Sequence, residues 1–249
     1  MRLALGLFFL IILQLTLIFL SSVHANKIPD HYFAGFNSID LHVRRCNSRK
    51  SCKDRYNKEV RSLTLFEKRN IEKLTKRLDS HLHKQGFSKL AEIPWKIMTF
   101  VEMENGFPHT HTDTIYIPKS LLTDPALEST LLHEKVHLFQ RIYPIETNRL
   151  ITEYMGFQMA IPRYKTNRLT RSNPDINQII YRYPNSDQLL MAEYKQDATS
   201  LVDIIDRNDH PFEIMAYSIQ ELFSNSKNYR YPQYHEAIRS WLVRCGGGG

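Results

Sequence analysis

Glycine is scarce in this 249-residue sequence, and its positions exclude several classes of enzyme. Of the nine glycines, four form the C-terminal run and one lies near the start, so Gly35, Gly86, Gly106 and Gly156 remain in the body of the chain. These four cannot form the glycine-rich loops that hold nucleotide phosphates, nor the G-x-S-x-G turn that carries a hydrolase nucleophile. The sequence therefore argues against nucleotide-binding loops and against a serine hydrolase of that type.

Cysteine is rarer still, with three in the chain. Cys46 and Cys52 are six positions apart, which is close enough for a small surface disulfide loop. Cys245 is left over, and spacing leaves open whether it is free or pairs with another chain. A disulfide is expected in a protein that leaves the cytosol.

The first segment of the chain predicts export. Residues 3–20 are uncharged and mostly apolar, and Val23 and Ala25 place small side chains at the −3 and −1 positions of a cleavage site before Asn26. We therefore expect a signal peptide over residues 1–25. The apolar run is long enough that a retained signal anchor stays an alternative. Residues 26–249 are expected to be secreted or extracytoplasmic, and membrane-anchored if the leader is retained.

Positive charge is concentrated near the N-terminus, where residues 44–77 hold 13 Lys and Arg against four acidic residues. Thr64 and Glu67 form a capping-box pattern, and apolar residues then recur at helical spacing up to Leu82. We predict a basic helical segment over about residues 44–86. Its charged face is either simply solvated or a surface that docks on phospholipid or acidic glycan, and no pattern indicates a specific nucleic-acid partner.

Turn residues, prolines and periodicity predict the remaining elements. Two short strands are expected at residues 95–101 and 114–117, joined by a turn at residues 104–106. Downstream we expect a helix that begins at Pro125, is capped by Asp124 and ends before Pro144. A second helix is expected over residues 147–160, and a hairpin within residues 162–206. Two further helices are expected to begin at Pro211 and Pro232. Together these predict one α+β domain over residues 26–249 with a mainly helical C-terminal half.

The Pro125 helix contains His133-Glu134-Lys135-Val136-His137, an H-E-x-x-H pattern. Residues four apart lie one turn above each other on a helix, so both imidazoles can bind one Zn²⁺. Glu134 then lies beside the metal, where it can take a proton from zinc-bound water. The alternative is a chance pair of histidines on one helix face.

With this motif the chain resembles the zincin metallopeptidases. The resemblance implies zinc-dependent peptide hydrolysis with Glu134 as general base, and a small antiparallel or mixed sheet over the active-site helix whose edge strand holds the peptide. The sequence departs at Lys135, where zincins usually have an uncharged residue, and we expect Lys135 to reach solvent. The extended metzincin pattern fails, because Gln140 and Tyr143 stand where it needs Gly and His.

The third zinc ligand is expected to be a Glu on a later helix, as in gluzincins, with a small residue three positions on. Two positions match, Glu153 with Gly156 and Glu213 with Ala216. We favour Glu213, because it lies in the first turn of an apolar segment where a buried acid needs a partner. Glu153, or a ligand that the sequence does not identify, stays open. The alternative for either glutamate is an acid that complements its helix dipole.

The resemblance also implies a Tyr or His that stabilises the oxyanion, and the candidates are Tyr217 and His235. Upstream, residues 108–118 fit the zincin edge strand. His109 and His111 are expected on one face of that strand as exposed polar residues, with a metal site of their own as the alternative.

These patterns predict a monomeric, exported zinc metallopeptidase that acts on peptides or proteins. A small amidase with the same chemistry on a non-protein amide fits equally well. The alternative from another class is a non-catalytic binding protein that docks on an anionic surface through its basic helix.

Overall fold

The computed structural model describes residues 28–160, 169–176, 179–187, 189–190, 192–205, 209–223 and 229–246. The expected leader at residues 1–25 and the glycine tail after residue 246 lie outside this range. Within it the chain has the mixed α+β composition that the sequence predicts. None of the helices in these residues is long and apolar enough to cross a membrane.

The N-terminal part is helical. Its helices are α1 (Asp30–Ala34), α2 (Ser38–Val43), α3 (Arg49–Glu59), α4 (Leu65–Lys84) and α5 (Ser88–Ala91). Capping boxes begin α2, α3 and α4, and the one at Thr64 and Glu67 confirms the sequence prediction. Gly86, at a φ of +83°, follows the end of α4.

Cys46 and Cys52 form the predicted disulfide, which ties the loop before α3 to its first turn. The neighbouring Arg44 is buried, although it belongs to the basic segment. Its guanidinium donates to Asp40 Oδ1 at 2.8 Å and to both carboxylate oxygens of Glu104, at 2.8 and 3.0 Å. It also donates to the carbonyl of Ser172 at 2.8 Å, so it joins the N-terminal helices to two distant segments.

A four-stranded mixed sheet follows, in the order β1-β2-β4-β3. Its strands are β1 (Arg61–Ser62), β2 (Ile97–Phe100), β3 (His109–His111) and β4 (Thr114–Pro118). β2 pairs parallel with β4, whereas β1 with β2 and β3 with β4 are antiparallel pairs. The turn at residues 104–106 is confirmed as a 3₁₀ turn, Met103–Gly106, but it leads into β3 rather than directly into β4.

Helix α6 (Leu127–Ile142) carries the H-E-x-x-H motif. It begins two residues after Pro125, because Asp124 Oδ1 accepts from the amide of Ala126 and closes a turn first. Pro144 begins α7 (Pro144–Arg149), which continues as a π-helical turn, Leu150–Tyr154. The expected helix over residues 147–160 is therefore wrong at both ends: Gly156 adopts a φ of +78° and residues 158–159 form a strand.

The C-terminal half contains a small antiparallel sheet and two helices. The sheet is formed by β5 (Gln158–Met159), β6 (Tyr181–Arg182) and β7 (Leu189–Leu190), and the β6–β7 hairpin is as predicted. Helices α8 (Pro211–Phe223) and α9 (Pro232–Gly246) begin at the expected prolines. α8 packs along α6 and also contacts α9, and the main apolar core fills the space between these helices and β4.

Candidate metal centre

Helix α6 brings His133 and His137 one turn apart on the face that meets the first turn of α8. Three atoms converge there: the two Nε2 atoms lie 3.1 Å apart, and Glu213 Oε2 lies 3.3 Å from His133 Nε2 and 3.6 Å from His137 Nε2. Ligands about 2.0–2.1 Å from a tetrahedral zinc ion lie about 3.3 Å from one another. These spacings therefore fit one bound ion with three protein ligands.

The tautomer of His137 is fixed by a glutamine on the next turn of α6. Gln140 Nε2 donates to the carbonyl of Phe212 at 2.8 Å, so Gln140 Oε1 faces His137 Nδ1, also at 2.8 Å. In its neutral form His137 then donates from Nδ1, which leaves a lone pair on Nε2. His133 Nδ1 lies 3.1 Å from Gln220 Oε1 in the same kind of contact. Such outer partners orient metal-binding imidazoles.

The three converging atoms favour a positive charge between them. Burial lowers the pKa of His137, but the Glu213 carboxylate outweighs burial and raises it to about 9. Burial raises the pKa of Glu213, whereas His137 and His133 hold it well below its ordinary value. A metal cation satisfies the same three lone pairs without a proton.

Glu134 is buried beside this centre and lines a cleft of about 750 Å³. Its Oε2 has no hydrogen-bond partner in the part of the chain that the structure describes. Burial raises the pKa of Glu134 well above its ordinary value, and the nearby Asp175 carboxylate raises it further. A carboxylate oxygen without a partner among the described residues, next to three atoms that could bind a metal ion, suits a group that accepts a proton.

Tyr217 lies one turn after Glu213 and lines the same cleft. Its ring centroid is 4.6 Å from that of His133, and the Arg230 guanidinium lies over the ring at 4.2 Å from the centroid. Burial raises the pKa of the Tyr217 hydroxyl, and Glu213 adds to the effect. The hydroxyl therefore keeps its proton and can donate a hydrogen bond into the cleft.

Two residues that the sequence suggested for the site, His235 and Glu153, lie away from the two histidines. His235 lies with its Nε2 3.1 Å from Glu221 Oε2 and its ring against Tyr229, away from the cleft lining. Glu153 is exposed and pairs with Arg149 at 2.8 Å. Glu213, the favoured third ligand, is the glutamate beside both histidines.

The expectation that Lys135 reaches solvent is wrong. Its side chain is fully buried on the opposite side of α6 from the cleft, with Nζ 2.6 Å from Asp79 Oδ1 and 2.9 Å from the carbonyl of Ala91. Nζ also lies 4.1 Å from the ring centroid of Trp95. Through these contacts Lys135 links α6 to α4 and α5.

The expectation for His109 and His111 is also wrong, because both side chains are buried among aromatic rings. Between them Thr110, at the centre of β3, donates from its amide to Asp175 Oδ1 at 2.7 Å. Its carbonyl accepts from Arg141 Nη2 at 3.0 Å. A peptide backbone cannot pair with β3 at Thr110 while these two bonds are in place.

The sequence analysis did not identify several residues around the centre. Gln140 and Gln220 follow the metal-binding residues at helical spacing, which is a usable signal once the ligands are assigned. Asp175, Arg171 and Asp209 reach the cleft from loops or irregular segments, where no periodicity points to them.

No protein-family model, curated protein or solved structure matches this chain.

Proposed function

We propose that the protein is an extracytoplasmic zinc-dependent hydrolase of peptide bonds. The observation that carries the proposal is the convergence of His133 Nε2, His137 Nε2 and Glu213 Oε2 within 3.6 Å, beside the unpaired carboxylate oxygen of Glu134. The Cys46–Cys52 disulfide supports a compartment outside the cytosol. A small amide of another kind is the alternative substrate for the same chemistry.

His133, His137 and Glu213 would hold the zinc ion, and Gln140 and Gln220 would keep both imidazoles in the binding tautomer. When bound, zinc polarises the scissile carbonyl and lowers the pKa of water to about 7. Glu134 takes the proton from the attacking water and delivers it to the leaving amine. Tyr217 donates a hydrogen bond to the oxygen on which charge develops.

Replacing Glu134 tests this division of roles. Glu134→Gln keeps a side chain of the same shape but cannot accept a proton, so we expect unchanged zinc content and loss of peptide cleavage by about 100-fold or more. The measurement is mass-spectrometric cleavage of a peptide pool by both proteins after equal zinc loading. Full activity in the variant would refute the mechanism.

The basic face of α4 favours a second candidate function, binding to an anionic phospholipid surface. Leu65 and Phe66 at the start of α4 are 81% and 74% exposed, and exposed basic residues follow them along the helix. Apolar side chains next to cations suit a membrane interface. Binding to phosphatidylserine vesicles that falls with salt but survives a chelator would support this function. The hydrolase should lose activity with the chelator.

A further inference from the structure

Most of the charged groups in the metal-binding cleft already have partners. Asp209 accepts a hydrogen bond from Tyr231 and lies 3.5 Å from Arg230. Asp175 accepts from the amide and the hydroxyl of Thr110. Asp209 and Asp175 are therefore compensated by groups other than Arg171.

Arg171 differs from these residues. It lines the cleft, and its side chain makes no hydrogen bond or ion pair with any residue in the described part of the chain. Its Nε is buried, so water cannot satisfy that donor. Arg171 as a whole is only half-buried and lines the cleft, so a ligand there can accept hydrogen bonds from the rest of its guanidinium. Arg230, by contrast, is already engaged with Asp209 and Tyr217.

The backbone around Arg171 is held firmly. Its amide donates to the carbonyl of Ala192 at 2.9 Å, and the carbonyl of Thr170 accepts from Asn37 Nδ2 at 2.8 Å. On the other side, Ser172 donates from its hydroxyl to Asp40 Oδ2 at 2.7 Å. Both neighbours of Arg171 are thus anchored to the N-terminal helices. A side chain on such a support binds a ligand with little loss of backbone entropy.

The surroundings of Arg171 strengthen its attraction for an anion. Ala192, Leu201 and Ile204 form part of the same cleft wall, and apolar walls lower the local dielectric constant. The planar guanidinium matches a carboxylate, to which it can donate two parallel hydrogen bonds.

We propose that Arg171 is a substrate-binding residue that holds a carboxylate of the peptide in the cleft, an inference that rests on the proposed peptidase function. The carboxylate belongs either to the C-terminus of the peptide or to an acidic side chain. Both sources present the same chemistry to the guanidinium, and the experiment below separates them.

The test measures binding to zinc-loaded Glu134→Gln protein, which should not consume the peptide. Two pools of random hexapeptides, identical except for a C-terminal carboxylate or amide, are passed over the immobilised protein. A second pair of amidated pools carries a fixed interior Glu or Gln. We expect one carboxylate-bearing pool to be retained about 10-fold or more better than its neutral counterpart, and which pair shows the difference identifies the source.

The same measurement on variants assigns the effect to Arg171. Arg171→Gln should abolish the preference while leaving zinc content and retention of the neutral pools unchanged, and Arg171→Lys should keep part of it. Arg69→Gln removes the same charge from the exposed face of α4 and should change nothing. Equal retention of all pools, or a preference that persists in Arg171→Gln, would overturn the inference.

Cleavage of the same pools by protein with Glu134 intact separates this inference from the proposed function. If a carboxylate preference depends on Arg171 but no pool is cleaved, the binding site stands and the peptidase proposal fails. If peptides are cleaved without any carboxylate preference, the peptidase proposal stands and the role of Arg171 is refuted.

Discussion

At the candidate metal centre, the carbonyl of Phe212 orients the amide of Gln140, and that amide in turn sets the tautomer of His137. The spacing of His133, Glu134 and His137 could be recognised in the sequence because helix geometry alone brings them together. Glu213 could be recognised because an acid in an apolar helix needs a partner. Gln140 and Gln220 carry no charge, so composition gave no reason to single them out.

The hydroxyl of Tyr217 is expected to stabilise the oxygen on which charge develops rather than to bind zinc. Tyr217→Phe keeps the ring against His133 and removes the donor, so kcat should fall by about 100-fold while zinc content stays the same. Steady-state kinetics on a peptide substrate would measure this. Tyr229→Phe is the matched control, because Tyr229 contacts His235 outside the cleft and should leave kcat unaffected. Loss of zinc in Tyr217→Phe would refute the assigned role.

At the level of elements, Lys135 shows why the sequence could not predict how α6 is held. Periodicity located the helix, but the burial of Lys135 depends on Asp79 and Ala91, which α4 and α5 bring from about 50 residues away. The pairing of the strands could not be predicted from the sequence either. β2 and β4 have the expected positions, but their parallel pairing depends on β3, which lies beside β4 at the sheet edge.

Removing the Lys135 side chain should destabilise the protein. Lys135→Ala leaves a cavity beside Trp95 and removes the amine that pairs with the Asp79 carboxylate. The free energy of unfolding should therefore fall by about 2–4 kcal/mol. Denaturant unfolding followed by tryptophan fluorescence would measure it. Lys76→Ala on the exposed face of α4 should stay within about 0.5 kcal/mol of the wild type. Equal effects of the two substitutions would contradict the structural role of Lys135.

Across the whole molecule, the buried group of Arg44, Asp40 and Glu104 joins the N-terminal helices, the loop before β3 and the segment around Ser172. Tyr32 and Tyr56 also donate to Glu104 Oε1, at 2.7 and 2.9 Å. The basic segment was predicted as a surface feature, because a local run of charge gives no indication that one arginine is buried. Only the tertiary arrangement supplies the two carboxylates that pair with it.

This network predicts a loss of stability in acid. Burial raises the pKa of Glu104, but the Arg44 guanidinium outweighs burial and lowers it from 4.5 to about 2. Because the pKa is lower in the folded state, the ionised carboxylate stabilises the fold above pH 4.5, and this contribution is lost as pH falls towards 2. The loss should be about 3 kcal/mol from Glu104 alone.

Urea unfolding at several pH values would isolate this contribution. The difference in the free energy of unfolding between the wild type and Glu104→Gln should be largest above pH 5 and shrink as pH falls. A difference that stays constant down to about pH 2 would show that Glu104 does not stabilise the fold through its charge.

The most direct test of the account is the zinc-to-protein ratio of purified protein, measured by elemental analysis after zinc loading and dialysis. We predict a ratio near one for the wild type and for Glu153→Gln, whose glutamate pairs with Arg149 on the surface. Glu213→Gln should retain much less zinc, because it removes one of the three converging ligand atoms. A wild type that binds no zinc at neutral pH, or a Glu213→Gln variant that binds it as well as the wild type, would contradict the assigned metal centre.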